Sequence, residues 1–424
     1  MLSIDYITNS KDDAIIGLKK RGFKNLDVLD SIIELNNNRK KIQQELDNIL
    51  FKSNTISKDI AEAFKSGNND IDIDSLKSES SNLKLKSKSL AEELDTVKIK
   101  ISDLITTVPN IPDSKVPDGL SEENNIEVFR SSNFKESGYN LKNHWDLSKE
   151  YDIIDFELGS KITGSGFPVY KGKGAKLQRA LINFFLDRNN SAGYNEFQVP
   201  HLVNSDSAYA TGQLPDKDGQ MYHVINDDFY LIPTAEVPLT NIYRDKILAV
   251  DQVPIMMTGY TPCFRREAGS YGADVRGLNR LHQFDKVEIV RIEHPDKSDD
   301  ALIKMKEHIK EILTELKIDF RILNLCAGDL GFTSSITYDF EVFSKGQEKW
   351  LEISSVSNFK TYQSNRLNLK FKDKDGKNYT LHTLNGSSLA LPRVMAGLIE
   401  NNQSENGIII PDVLVPYTGF DIIN

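Results

Sequence analysis

The sequence predicts an α+β protein. A long antiparallel two-helix coiled-coil arm precedes a body built on a mixed or antiparallel sheet. Two observations predict this. Apolar residues recur every seven positions across residues 28–104, and sustained seven-residue spacing marks helices packed as a coiled coil. After a Pro-rich break, short β-rich runs and helical stretches follow without strict alternation, which disfavours a doubly wound parallel sheet.

In the arm, Val28, Leu35, Ile42, Ile49 and Ile56 lie seven apart, with Leu46 and Ile60 on a companion seam. After KSGNNDID the pattern restarts at Leu76, Leu83, Leu90, Val97 and Leu104, with Leu94 and Ile101 beside it. Two such helices joined by a short Gly/Asn-rich turn form a hairpin, each on the order of 45–50 Å long. Only one seam is apolar, so the other faces are wet. Lys40, Lys41, Lys52, Lys58, Lys65, Lys84, Lys86, Lys88, Lys98 and Lys100 lie on those faces. A solvated surface accounts for them, and so does contact with nucleic-acid phosphates.

The stretch VPNIPDSKVPDG, Val108 to Gly119, ends the second helix and marks the boundary. Beyond it, FYLIPTAEV, IVRIEH, ITYDFEVF and WLEISSVSN read as strands. GAKLQRALINFFLDRNN and DDALIKMKEHIKEILTEL read as helices, and SLALPRVMAGLIENN as a third, broken or started by Pro392.

The 424 residues, 39% hydrophobic and 27% charged, suffice for two or three domains with a sizeable core. A net charge of -10 argues against a protein that simply coats nucleic acid but allows a local basic stripe. Two cysteines, Cys263 and Cys326, make neither a disulfide framework nor a Cys-rich zinc site, so a reducing cytoplasm is expected. The first residues lack the order of a signal peptide, and no apolar run approaches the ~20 residues that span a bilayer. No P-loop, G-x-G-x-x-G or H-E-x-x-H pattern occurs, and the seven histidines are dispersed. His144, His201 and His382 are expected at the surface or in the core.

The chemistry concentrates in TPCFRREAGSYGADVRGLNRLHQFDKVEIV, Thr261 to Val290. Charged residues in an apolar strand are costly unless paired. Strand alternation would put Arg265 and Glu267 on one face and Arg266 on the other. Arg265 could clamp a phosphate, Glu267 could accept from a base amino group, and Phe284 offers a stacking face. Arg276 and Arg280 add positive charge. An exposed hairpin with salt bridges is the plain alternative.

Phe264-Arg265-x-Glu267, a loop, then Arg280-x-x-x-Phe284 resembles motif 2 of the class II aminoacyl-tRNA synthetases. GYNEFQVPHLVN resembles motif 1, with Pro200 as its proline, and LNGSSLALPRVMAGLIEN resembles motif 3, with Arg393 as its arginine. The combination with ATGQLP, PTAEVPLTN, EISSVSNFKTYQSNR and the arm is similar to the bacterial-type seryl-tRNA synthetases over essentially the whole chain. The resemblance implies a class II antiparallel sheet flanked by helices. It implies a tRNA-binding domain over residues 1–110, with the hairpin at about 28–104, and a catalytic domain over 111–424. It implies a homodimer built on motif 1 and an arm that holds tRNA(Ser) across it, with tRNA(Sec) a possible second substrate.

The same resemblance gives residue roles. Arg265 falls on the α-phosphate, Glu267 on adenine, Phe284 against the ring, and Arg393 at the γ-phosphate. Arg266, Ile353 and Ser354 join this ATP set. Glu352 and Ser355 hold Mg2+ between phosphates, which suits a hard cation. Thr234, Ala235, Glu236, Arg265, Glu288 and Ser387 surround serine, and Asn385 is a candidate for the same pocket. Which carboxylate reads the ammonium and which the hydroxyl is left open. No zinc is expected. Two departures stand out: Gly166 where the family often has arginine, and Phe343 where tryptophan is usual. They bear on local contacts, not on the motif residues. A relative that loads a carrier instead of tRNA would lack the long arm. A non-enzymatic tRNA-binding paralogue would have lost Arg265, Glu352 or Arg393.

Overall fold

The computed structural model describes residues 1–66, 72–131, 141–216, 218–267 and 276–424. The arm's expected turn falls largely on 67–71, outside the described residues. The chain divides into two compact units. One is Met1–Lys19 with Phe23–Pro109; the other is Lys20–Gly22 with Asn110–Asn424.

The first unit is dominated by α1 (Val28–Ser66) and α2 (Ile73–Ile105). At 39 and 33 residues, these helices run about 58 and 50 Å. Asp72 caps α2, its side chain accepting the Ser75 amide. The predicted seams form the contact: Ile42, Leu46 and Ile49 pack with Leu90, Leu94, Val97 and Ile101, flanked by half-buried Leu35 and Leu83. All ten arm lysines are exposed. Lys86 reaches Glu45 across the pair at 2.7 Å.

The second unit is built on an eight-stranded sheet. In chain order its strands are β1 (Ile126–Arg130), β2 (Asn195–Glu196), β3 (Ile255–Phe264), β4 (Gln283–Glu293), β5 (Phe320–Asn324), β6 (Ile336–Ser344), β7 (Lys349–Lys360) and β8 (His382–Ala390). Their spatial order is β1-β5-β6-β7-β8-β4-β3-β2. Every pair is antiparallel except the short edge strand β2, which runs parallel to β3. The expected antiparallel sheet of the class II type is thus present, with one two-residue exception.

Helices α3 (His144–Glu150), α4 (Gly172–Ser191), α5 (Glu236–Asn241), α6 (Ser298–Glu315) and α7 (Leu391–Asn401) surround it. Pro392 lies in the first turn of α7, where a missing N–H costs nothing; the preceding SLA closes strand β8. Apolar side chains of α4, α6 and α7 pack with Val287, Ile289, Phe340, Val342, Val356 and Leu384 of the sheet into one core. Strand alternation leaves the intervening residues on the other face. There stand Phe284, Lys286 and Glu288 of β4, Thr337, Asp339 and Glu341 of β6, and Asn385 and Ser387 of β8.

FYLIPTAEV is a strand only at Phe229–Leu231. Thr234 and Glu236 stand instead at the start of α5. Among the described residues no helix is long and apolar enough to cross a membrane.

Candidate active site

The polar residues of that sheet face line a cavity of about 1100 Å³. Thirteen of the expected site residues meet there: Thr234, Glu236, Arg265, Glu267, Phe284, Glu288, Glu352, Ile353, Ser354, Ser355, Asn385, Ser387 and Arg393. Arg266 and Ala235 do not line it. Ala235 is fully buried in an apolar cluster with Leu239 and Met257. Pro200 lies exposed in the loop after β2, away from the cavity lining.

At one end an arginine faces an aromatic ring. The Arg265 guanidinium carbon is 5.2 Å from the Phe284 ring centroid. Strand β3 stops at Phe264, so the Arg265–Glu267 triplet lies beyond it and strand alternation is not what orders it. The Arg265 amide donates to the His282 carbonyl and the Arg266 amide to the Gln220 carbonyl, both at 2.9 Å. Glu267 takes a left-handed φ of 48°, which turns its carboxylate toward Arg280, 3.0 Å away. Arg393 donates from Nε to the Asn279 carbonyl at 2.9 Å and from Nη1 to the Glu352 carbonyl at 2.8 Å.

The other end holds two buried carboxylates. Glu288 Oε2 accepts from Thr234 Oγ1 at 2.9 Å and pairs with Lys286 Nζ at 2.7 Å. Glu236 Oε1 accepts from Gln363 Nε2 at 2.6 Å. Burial and then the nearby Glu288 push the Glu236 carboxyl up to about 7, against the opposing Gln363 and Asn385 hydrogen bonds and the Lys286 charge. Ser354 Oγ donates to the Ser387 carbonyl at 2.6 Å, tying β7 to β8 beneath the pocket.

Between the two ends, Ser355 Oγ donates to Glu352 Oε1 at 3.2 Å. Asp339 stands opposite Ser355 in the β6–β7 register. Its Oδ1 is buried without a hydrogen-bond partner, and burial followed by the Glu352 charge holds its carboxyl well above the usual range. This donor set is all oxygen, which fits a hard divalent cation. It offers too few protein ligands to hold one alone: among the described residues no cluster of three His, Cys, Asp or Glu could bind a metal.

The class II tRNA synthetase core domain (G, H, P, S and T) matches residues 222–402, and the seryl-tRNA synthetase N-terminal domain matches residues 1–112. A serine–tRNA ligase of Salinibacter ruber is 44% identical over 99% of this chain and 98% of its own length. One of Thermodesulfovibrio yellowstonii is 41% identical over the whole of both. The chain belongs to the seryl-tRNA synthetase family. The expected activity, an aminoacyl-tRNA ligase specific for serine, is the one these relatives are named for. The crystal structure of seryl-tRNA synthetase from Pyrococcus horikoshii complexed with ATP superposes with a TM-score of 0.90 at 31% identity, covering 100% of this chain and 99% of the other.

The two departures from the family pattern have local explanations. Gly166 has a φ of 84°, and a Cβ there would come within 2.5 Å of His282. His282 also donates its amide to the Gly166 carbonyl, and Phe167 stacks on its ring at 5.3 Å. An arginine is thus excluded by backbone conformation and space. Phe343 packs edge-on against Trp350, with centroids 5.1 Å apart. Cys263 is fully buried, as expected of a packing residue, and burial pushes its thiol up.

Sequence reasoning missed Lys286, Asp339, Glu341 and Asn279, all of which line the cavity. A signal existed for the first three. DKVE and YDFE place charges two apart within apolar strands, the same costly pattern that drew attention to Arg265.

Proposed function

We propose that this cavity joins L-serine to ATP and then passes the seryl group to the 3'-terminal adenosine of tRNA(Ser). A serine carboxylate oxygen attacks the α-phosphorus, the bond to the β-phosphate breaks, and pyrophosphate leaves. A ribose hydroxyl then attacks the seryl carbonyl, and AMP leaves. One observation carries this reading: a guanidinium–aromatic clamp and a paired-carboxylate pocket share a single cavity. The first suits a nucleotide and the second a small zwitterion with a hydroxyl.

Arg265 stabilises charge growing on the α-phosphate, and Phe284 stacks the base. Glu267 accepts from the adenine amino group, and Arg393 neutralises the γ-phosphate. Arg266 and Ala235 stand outside the cavity lining, so their contributions run through the backbone or through packing. Glu352 and Ser355 would hold Mg2+, with Asp339 behind them. When bound, the ion would supply positive charge to the phosphates.

Lys286 and Thr234 occupy one oxygen of Glu288. Its other oxygen is left to accept the serine hydroxyl. Glu236, whose direct partners are amides, takes the ammonium. Alanine would leave the second Glu288 oxygen without a donor and is rejected by about 10⁴-fold. Threonine is excluded by size.

The exposed lysines of the hairpin support tRNA binding through backbone phosphates, with tRNA(Sec) a possible second substrate. Exposed Pro200, beside edge strand β2, supports a homodimer formed on that edge. The cytoplasm is where such chemistry meets its tRNA.

The test is serine-dependent ATP–pyrophosphate exchange without tRNA, with alanine and threonine as controls. Exchange with serine alone is expected. No exchange from the folded protein with Mg2+ would overturn the assignment in favour of a tRNA-binding paralogue.

A further inference from the structure

Behind the cavity wall lies a buried acid–base pair with no part in the chemistry just described. His144 opens α3 and Glu400 stands near the end of α7, and both side chains are wholly excluded from solvent. Glu400 Oε1 accepts the His144 amide at 2.9 Å and lies 2.6 Å from Nδ1. The other ring nitrogen, Nε2, accepts the amide N–H of Leu278 at 2.8 Å. That bond sets the tautomer: Nε2 is bare, and the proton sits on Nδ1 facing Glu400. The other oxygen of Glu400, Oε2, accepts from Ser344 Oγ.

The connections continue toward the cavity. Gln347 Nε2 donates to Glu400 Oε1 at 3.2 Å, and its Oε1 accepts from Asn279 Nδ2 at 2.8 Å. The Asn279 carbonyl receives Arg393 Nε at 2.9 Å. Two glycines make room for this packing. Gly277 has a φ of 67°, and a Cβ there would lie 2.2 Å from His144 Nε2. A Cβ on Gly346, whose amide donates to Glu400 Oε2 at 3.2 Å, would lie 2.6 Å from the Lys142 carbonyl. A buried polar pair is weak evidence of stability, since apolar side chains of like volume serve as well. What His144 supplies that an apolar residue cannot is an acceptor for Leu278.

We propose that the His144–Glu400 pair positions Arg393 for ATP. By pinning Leu278 and Asn279, it fixes the carbonyl that orients the Arg393 guanidinium. Neither residue touches substrate; both act through Asn279. The proposal rests on the ATP reading of the cavity.

Exchange assays on the full chain test it with four variants. His144→Phe fills the space but removes the acceptor. His144→Gln puts an oxygen where Nε2 stood. Gln347→Met cuts the link to Asn279 and the Gln347–Glu400 contact but leaves His144, Glu400 and the Leu278 hydrogen bond in place, so it keeps the test open if His144→Phe fails to fold. Arg393→Ala reports on the ATP subsite itself. His144→Phe and Gln347→Met should raise the KM for ATP by about tenfold and a few-fold respectively. The KM for serine should stay within about twofold in both. His144→Gln should lie close to wild type. Equal rises in both KM values, or a His144→Phe enzyme closer to wild type than His144→Gln, would mean the pair only packs the core and would overturn the proposal. An unchanged ATP KM in both His144→Phe and Gln347→Met, with a raised one in Arg393→Ala, would overturn the relay alone. An unchanged ATP KM in Arg393→Ala would overturn the ATP reading and the relay with it.

Discussion

Serine binding should depend on pH through Glu236. Its carboxyl is pushed up to about 7, first by burial and then by the charge of Glu288. The sign follows from the ligand. Above that value Glu236 is ionised and ready for the serine ammonium. Below it the carboxyl is neutral, and the incoming cation must displace a proton. Affinity is therefore full at high pH and is lost as pH falls through about 7. The protonated fraction rises from about one-tenth at pH 8 to about ten-elevenths at pH 6, so the apparent Kd for serine should rise about tenfold across that range. At about pH 6.5 binding should release roughly three-quarters of a proton. Calorimetric titration with serine alone, in two buffers of different protonation enthalpy, reads both quantities, and leaving ATP out keeps the nucleotide's own titration from intruding. Glu236→Gln should bind weakly and lose the pH slope. A flat affinity from pH 6 to pH 8, or a slope that survives Glu236→Gln, would refute the assignment of Glu236 to the ammonium.

Lys286→Met should leave Glu288 buried without its ion-pair partner. Both side chains of the pair are under 10% exposed, so the loss should cost about 3–5 kcal/mol of stability. A denaturant midpoint equal to wild type would show that the pair is not held as described. Deleting the arm between about Asp30 and Val108 should spare serine-dependent exchange and abolish tRNA charging. Equal loss of both activities would mean that the arm supports the fold.

What the sequence revealed and what it hid divide along physical lines. The coiled-coil seam was legible because a seven-residue repeat is local and redundant: Ile42, Leu46, Ile49, Leu90, Leu94 and Val97 each report the same face, and all are buried together. The helices α4 and α6 were legible for a similar reason. The ends of elements were not. FYLIPTAEV carries β-formers as far as Ile232, yet the strand stops at Leu231 and α5 begins five residues later and takes Glu236 with it. Arg265 and Glu267 reach one cavity through a turn at a left-handed residue, not through strand alternation. The types of the site residues were readable from short motifs, while their pairings were not.

Those pairings explain why function outran pattern. Glu288 depends on Thr234 and Lys286, and Glu236 on Gln363. Arg393 depends on Asn279, which is tied through Gln347 to His144 and Glu400, residues 256 positions apart. An antiparallel sheet brings such distant segments into register. Each partner obeys only local rules in its own strand or helix, so no spacing in the sequence records the contact. A histidine at a helix start and a glutamate near a helix end look like ordinary surface chemistry until the fold buries both. Their burial then needs a reason, and the amide of Leu278 beside the cavity, which donates to His144, provides one.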